Sequence, residues 1–106
     1  MPVTFKTKSN TLYAFLKGEI DHHTAPELRE NIDNAIILND NVKVIVLDFG
    51  GVTFMDSSGV GLVMGRYRLG ASKGKKLKVD NLAERDFKIM KMSGIEKLAE
   101  INKKEN

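Results

Sequence analysis

The chain contains no cysteine. Disulfide frameworks, thiolate catalysis and cysteine-ligated zinc are therefore excluded, and a reducing cytoplasm is the expected setting. No apolar run approaches the ~18 residues that cross a bilayer. The opening Met-Pro-Val-Thr-Phe lacks the basic and apolar regions of a signal peptide. No membrane partner is expected. The charge balance, 17 basic against 14 acidic residues for a formal +3, is mild. Much of the excess sits in Lys73, Lys75, Lys76, Lys78, Lys103 and Lys104, with no aromatic residues interleaved. These lysines read as solvated turn and tail residues, and no nucleic-acid partner is expected.

Several catalytic signatures are missing too. No Gly-Lys-Ser/Thr occurs, so there is no Walker loop, and no G-x-S-x-G nucleophile elbow occurs either. Gly59, Gly61 and Gly65 open a helix after a strand, but their spacing does not fit G-x-G-x-x-G. Val52–Met55 also fills the place of the tight turn that a dinucleotide site needs. No cofactor is expected. His22, His23 and Asp21 invite a metal reading, but neighbours in an extended segment point to opposite sides. They read better as loop residues feeding a helix start.

What remains is the composition of an ordinary globular domain, 106 residues long, 42% hydrophobic and 29% charged. A chain of that size buries roughly 60–70% of its unfolded surface. Residues 3–8 alternate, with Val3, Phe5 and Thr7 on one side, as a half-buried strand does. Residues 11–17 form its hairpin partner, ended by Gly18. Thr24 and Glu27 have the spacing of a capping box, with Pro26 in the first turn. The helix from about Ala25 places Leu28, Ile32, Ala35 and Ile36 inward. Residues 42–49 are the β-branched run of a central strand, broken by Gly50-Gly51.

A helix from about Ser58 to Ser72 is expected to turn Val60, Val63 or Met64, Tyr67 and Ala71 inward. That leaves Gly61, Leu62, Gly65, Arg66 and Leu69 as an exposed, glycine-rich apolar face suited to a protein contact. A short strand around Leu77 and Val79 follows, then a helix capped by Asn81 and Glu84. That helix ends at Gly94 with Ile95 as its hydrophobic contact. A last strand is placed at Leu98–Ile101. The order β-β-α-β-α-β-α, with that final strand, is an α/β fold: a mixed sheet with an opening hairpin and helices packed on it.

Asp56-Ser57-Ser58-Gly59 stands at the start of the second of these helices. Asp and Ser are preferred caps. A serine at a helix start is also a good carrier for phosphate, because free amides and the helix dipole favour negative charge there by about 0.3–1 kcal/mol when exposed. Spacing does not decide between Ser57 and Ser58. A small serine hydrolase using either serine with His22 or His23 is the enzymatic alternative.

Gly18-Glu19-Ile20-Asp21-His22-His23-Thr24-Ala25, Phe54-Met55-Asp56-Ser57-Ser58-Gly59-Val60-Gly61, Gly65-Arg66-Tyr67 and Met92-Ser93-Gly94 together resemble the bacterial anti-sigma factor antagonists, which are single STAS domains. The match covers about residues 11–98. The Asp-His-His-Thr and Gly-Arg-Tyr segments point to the branch that acts on the anti-sigma-F factor in endospore formation. The resemblance implies that the unmodified protein binds an anti-sigma factor that is also a serine kinase, freeing the sigma factor. The kinase holds the ATP or ADP and modifies the serine matching Ser58, ending the interaction, and a separate serine phosphatase restores it. Asp21 matches a family aspartate that supports partner binding. The expected partner surface is then Asp21, Asp56, Ser57, Ser58, Gly59, Gly61, Leu62, Gly65 and Arg66. A STAS module of another partner-switching or stress-signalling complex is the alternative within the family. Residues 1–106 are expected to be one STAS domain without the further C-terminal helix that family members usually carry.

Overall fold

In the computed structural model, which describes residues 2–105, the chain opens with an antiparallel hairpin, β1 (Val3–Lys8) and β2 (Thr11–Ile20). Helix α1 (Ala25–Leu38) leads to β3 (Val44–Met55), α2 (Ser57–Ser72) to β4 (Lys76–Leu82), and α3 (Glu84–Met92) with a 3-10 turn (Ile95–Lys97) to β5 (Glu100–Lys103). The sheet order is β1-β2-β3-β4-β5, and the last four strands are parallel. Each crossover steps to the next strand in the same direction. Right-handed connections then put all three helices on one face.

Burial agrees with that placement. On the helix side Leu12, Ala14, Leu16, Ile45, Leu47, Leu77 and Val79 are at most 4% exposed. They pack with Leu28, Ile32 and Ile36 of α1, Leu62 and Val63 of α2, and Met90 of α3. Each large apolar side chain so buried contributes about 1.5–3 kcal/mol. The opposite face carries polar pairs such as Asn102–Asp80 and Lys78–Glu100. It also carries Tyr13 stacked on Phe15, with ring centroids 6.0 Å apart. Val46 is buried on this open face because Tyr13 and Lys78 flank it on the neighbouring strands.

Several expected boundaries move. Gly18 does not end β2. Its positive φ of 84° is absorbed in a register shift against β3, and the strand runs on to Ile20. Gly50-Gly51 does not break β3 either. A Cβ on Gly51 would stand 2.8 Å from Lys17 Cβ and 2.9 Å from the Leu16 carbonyl oxygen, so the glycine permits a close strand approach. In β1 only Val3 is buried, since an edge strand meets α1 at one end. Asn81 lies within β4 at φ 59° and donates to Asp48, 2.8 Å away; α3 starts after Ala83 with no side-chain cap. Gly94, at φ 85°, closes α3 and buries Ile95 as expected. The last strand sits two residues later than expected because residues 95–97 are spent on the 3-10 turn.

Candidate functional site

Strands β2 and β3 end side by side, with Ile20 opposite Met55 and both fully buried. The chain leaves the sheet at Asp21 and at Asp56, and the two exits are joined: the Asp56 amide donates to the Ile20 carbonyl at 3.1 Å. The loop before α1 and the start of α2 therefore form one rim.

Asp56 is extended (φ −101°, ψ −167°), and its Oδ1 accepts the Ser58 amide at 2.8 Å. That is the expected N-cap, worth about 1 kcal/mol. Asp21 plays a similar part at the other exit. Its Oδ1 accepts the amides of His23 at 2.9 Å and Thr24 at 3.0 Å. The Thr24 amide most of all, with the His23 amide, holds the Asp21 carboxyl below its ordinary value, against desolvation.

The capping box expected from Thr24 and Glu27 does not form. Thr24 already has helical dihedrals, and its hydroxyl turns back to donate to the Glu19 carbonyl at 2.9 Å. Asp21 instead takes the Thr24 amide, and α1 starts without a side-chain cap.

Ser57 and Ser58 are the first two residues of α2. Ser57 is exposed, whereas Ser58 is half-buried and opens into a hollow of about 310 Å³ between α1 and α2. His22, Arg29, Gly61 and Arg66 line the same hollow. A Cβ on Gly59 would fall inside the buried Met55 side chain, so this glycine lets the helix start sit on the end of the sheet. Gly61 and Gly65 face open space, where an added Cβ meets nothing within 4 Å.

The buried stripe of α2 differs from the expected one. It consists of Gly59, Leu62, Val63, Arg66 and Gly70, while Val60, Met64 and Tyr67 are only partly buried and Ala71 is exposed. Leu62 and Arg66, expected on the outer face, are 4% and 5% exposed, and Leu69 is half-buried. The cause is α1, which lies along this side of α2. Arg66 Nε stands 2.7 Å from Asp33 Oδ1 of α1, and Nη1 donates to the Leu62 carbonyl at 3.3 Å. Burial draws the Arg66 pKa down, the Asp33 charge opposes this, and neighbouring Arg29 adds to the depression. Near the rim, the open part of the α2 surface is thus Ser57, Ser58, Gly61 and Gly65, with Asp21 and Asp56 beside it.

Sequence reasoning missed Arg29 and Asp33. Only their i,i+4 spacing on one helix face was available, and the partner of Asp33 lies 33 residues away. It also missed Arg85, whose guanidinium donates to the Met55 carbonyl at 3.1 Å and stands 5.8 Å from the Phe54 ring centre. No hydrogen bond joins Ser58 to His22 or His23, whose rings lie tilted by 38° against each other with centroids 4.0 Å apart. The Asp21 carboxylate is committed to backbone amides, so no serine–histidine–carboxylate relay is assembled. Among the described residues no three of His, Cys, Asp and Glu gather as metal ligands. Nor, among the described residues, is any helix long and apolar enough to cross a membrane.

Comparison with known proteins gives the frame for this rim. The STAS domain family model matches residues 3–106. The chain is 38% identical over 86 residues to the anti-sigma F factor antagonist of Paenibacillus polymyxa, covering 81% of this chain and 73% of that protein. It is 29% identical over 102 residues to the anti-sigma-B factor antagonist of Bacillus subtilis, covering 96% and 91%. The fold matches the anti-sigma factor antagonist SpoIIAA in its unphosphorylated form with a TM-score of 0.78 at 31% identity, over 93% of this chain and 86% of that one. It matches Bacillus SpoIIAA in the phosphorylated form with a TM-score of 0.71 at 29% identity, over 93% and 89%. The chain belongs to the STAS domain family, among the anti-sigma factor antagonists.

Proposed function

We propose that this chain binds an anti-sigma factor through the rim formed by Asp21, Asp56 and the start of α2, and that phosphorylation of Ser58 switches the binding off. The observation that carries this reading is the position of Ser58. Its side chain opens onto the surface at the second position of a helix, where negative charge is tolerated. The names of the relatives and the two phosphorylation states of SpoIIAA support it.

The switch is electrostatic. Transfer from ATP held by the partner kinase forms the Ser58 Oγ–P bond and breaks the bond from that phosphorus to the departing ADP oxygen. The hydroxyl proton passes to a base on the kinase. The product carries about −1.5 to −2 of charge. Against an acidic partner group at about 4 Å, with an effective dielectric near 20, one charge costs about 4 kcal/mol. That is roughly a thousandfold in affinity. A serine phosphatase adds water across the Oγ–P bond and restores the binding form. The protein works in the cytoplasm, where kinase and sigma factor are found.

Gly61 and Gly65 leave room for a partner's backbone beside Ser58. Leu62 and Arg66 act from beneath, by holding α2 against α1, and Gly59 acts by seating the helix on Met55. A second reading, that the partner belongs to the sigma-B type of pathway, is favoured by the length of the Bacillus subtilis match.

The test is incubation with the sigma-F-type and sigma-B-type kinases and ATP, followed by mass spectrometry and binding measurements. One kinase should place a single phosphate on Ser58, leave Ser58→Ala unmodified, and lose its grip on Ser58→Asp. Phosphate on Ser57 in the native chain would refute the site. Labelling of Ser58 by a fluorophosphonate in a manner dependent on His22 would favour the hydrolase instead.

A further inference from the structure

The hollow beside Ser58 has an unusual lining. Ser58, Gly61, Leu62 and Arg66 lie along one stripe of α2, at spacings of three, four and eight residues, and face Arg29 and the start of α1 across the gap. Gly61 contributes no side chain, and a Cβ there would meet nothing within 4 Å, so the space stays open. Two guanidiniums and the His22 imidazole border it. Arg66 is paired with Asp33. Arg29 is exposed and has no ion-pair partner among the described residues. Its charge is close enough to Arg66 to help depress that residue's pKa, though less than Asp33 opposes it, and no carboxylate lines the hollow itself.

We propose that this hollow is a receptor for the phosphate carried by Ser58, with the Arg29 guanidinium as its principal ligand and Arg66 and His22 as its flanking donors. The inference rests on the reading of Ser58 as the phosphorylated residue. A guanidinium offers a planar fork of N–H donors that matches phosphate oxygens in pairs. Placed between Arg29 and Arg66, a phosphate meets one unpaired guanidinium and one already shared with Asp33, which is why Arg29 is the principal ligand. The carboxylate nearest Ser58, that of Asp56, is engaged with the Ser58 amide at the helix cap. Asp21 faces the amides of its own loop, and Asp33 faces Arg66. The modified serine therefore folds its charge back onto its own domain. The off state is held by an internal contact as well as by repulsion of the partner, and a phosphatase must draw the phosphate out of the hollow to reach it.

The test uses the full chain with phosphoserine installed at position 58 during synthesis, so no kinase is needed. Phosphorus-31 NMR titration reads the second ionisation of the phosphate. In the native background it should fall about one unit below the usual value of about 6. Arg29→Ala, a change at an exposed position, should return it towards about 6, and Arg29→Lys should return part of it. Gly61→Leu fills the hollow from the α2 side and should also return it. An equal pKa in the native and Arg29→Ala backgrounds overturns the proposal. So does a pKa that stays low in Gly61→Leu. A kinase that modifies another serine would sink the reading of Ser58 and leave this measurement standing; a normal phosphate pKa would do the reverse.

Discussion

Arg66 Nε lies 2.7 Å from Asp33 Oδ1, and this contact ties α2 to α1 across 33 residues of sequence. That approach is charge against charge, off the hydrogen-bond line, while the pair's hydrogen bond runs from Arg66 Nη2 to Asp33 Oδ2 at 3.4 Å. The arginine side chain is 6% exposed and the aspartate 30%.

Asp33→Ala should therefore cost more than an ordinary surface ion pair. It strands a buried guanidinium with one long bond to the Leu62 carbonyl. We expect a loss of about 2–3 kcal/mol, below the full penalty for a buried pair because water reaches the Asp33 side. Urea denaturation reads it. The double variant Asp33→Ala, Arg66→Met should recover much of the loss, since it removes the stranded charge as well. A loss under about 0.5 kcal/mol in the single variant would place the pair with the surface ones.

Gly59→Ala should destabilise by about 1–3 kcal/mol, the usual range for overpacking. Met55 is flexible, but it is fully buried at the end of β3 and has little room to yield. Combining Gly59→Ala with Met55→Ala should cost less than the sum of the two, because they share one volume. Strict additivity in thermal melts would contradict the contact.

Asp86 gives a pH signature. Its side chain is 8% exposed, and desolvation raises its pKa above the ordinary 3.8, with Arg85 opposing. The folded state then binds the proton more tightly than the unfolded one. Stability contributed by this group is present below 3.8 and falls as pH rises through the raised value. Asp86→Asn should stabilise the protein at neutral pH, and the advantage should fade towards pH 3.8. A stability difference that does not change over this range would count against it.

Asp21 behaves in the opposite sense. Its lowered pKa means that the carboxylate favours the folded loop above 3.8, and the benefit is lost as pH drops through the depressed value. The amide resonances of His23 and Thr24 should shift together in that acid range. In Asp21→Ala both amides should exchange faster with solvent, while the α2 amides keep their protection. Equal exchange in the two proteins would show that the loop does not depend on this side chain.

The elements were largely legible because apolar period and turn chemistry are local. Leu28, Ile32 and Ile36 mark the buried side of α1 through spacing alone. The phase of α2 was not legible. Val63, expected inward, is fully buried, but Val60, Met64 and Tyr67 read as well on paper as Leu62 and Arg66, and only the position of α1 with its Asp33 settles which are fully covered. Thr24 misled for a related reason. A threonine three residues before a glutamate fits a capping box, but the nearer Asp21 takes the Thr24 amide that Glu27 would have accepted, and the Thr24 hydroxyl turns to the Glu19 carbonyl. Gly18 and Gly51 read as breaks because glycine usually punctuates; here one sits in a bulge and the other admits a neighbouring strand. In the rim itself, the Asp56 cap was readable from cap preference, the choice of Ser58 over Ser57 came only from the family resemblance, and Arg29 gained its place only once the two helices met.

Ile20 and Met55 close the ends of two neighbouring parallel strands, and each functional loop begins one residue later. Below that pair the helix-facing positions are constrained by packing. Above it the loops answer only to each other and to whatever they touch, as is general for sites at the carboxyl ends of parallel strands. The architecture thus separates an inherited frame from a rewritable address. Asp21–Thr24, Arg29, Ser57 and Gly61 lie above that boundary, and under the proposed function substitutions there would change what the domain touches without asking the core to fold again.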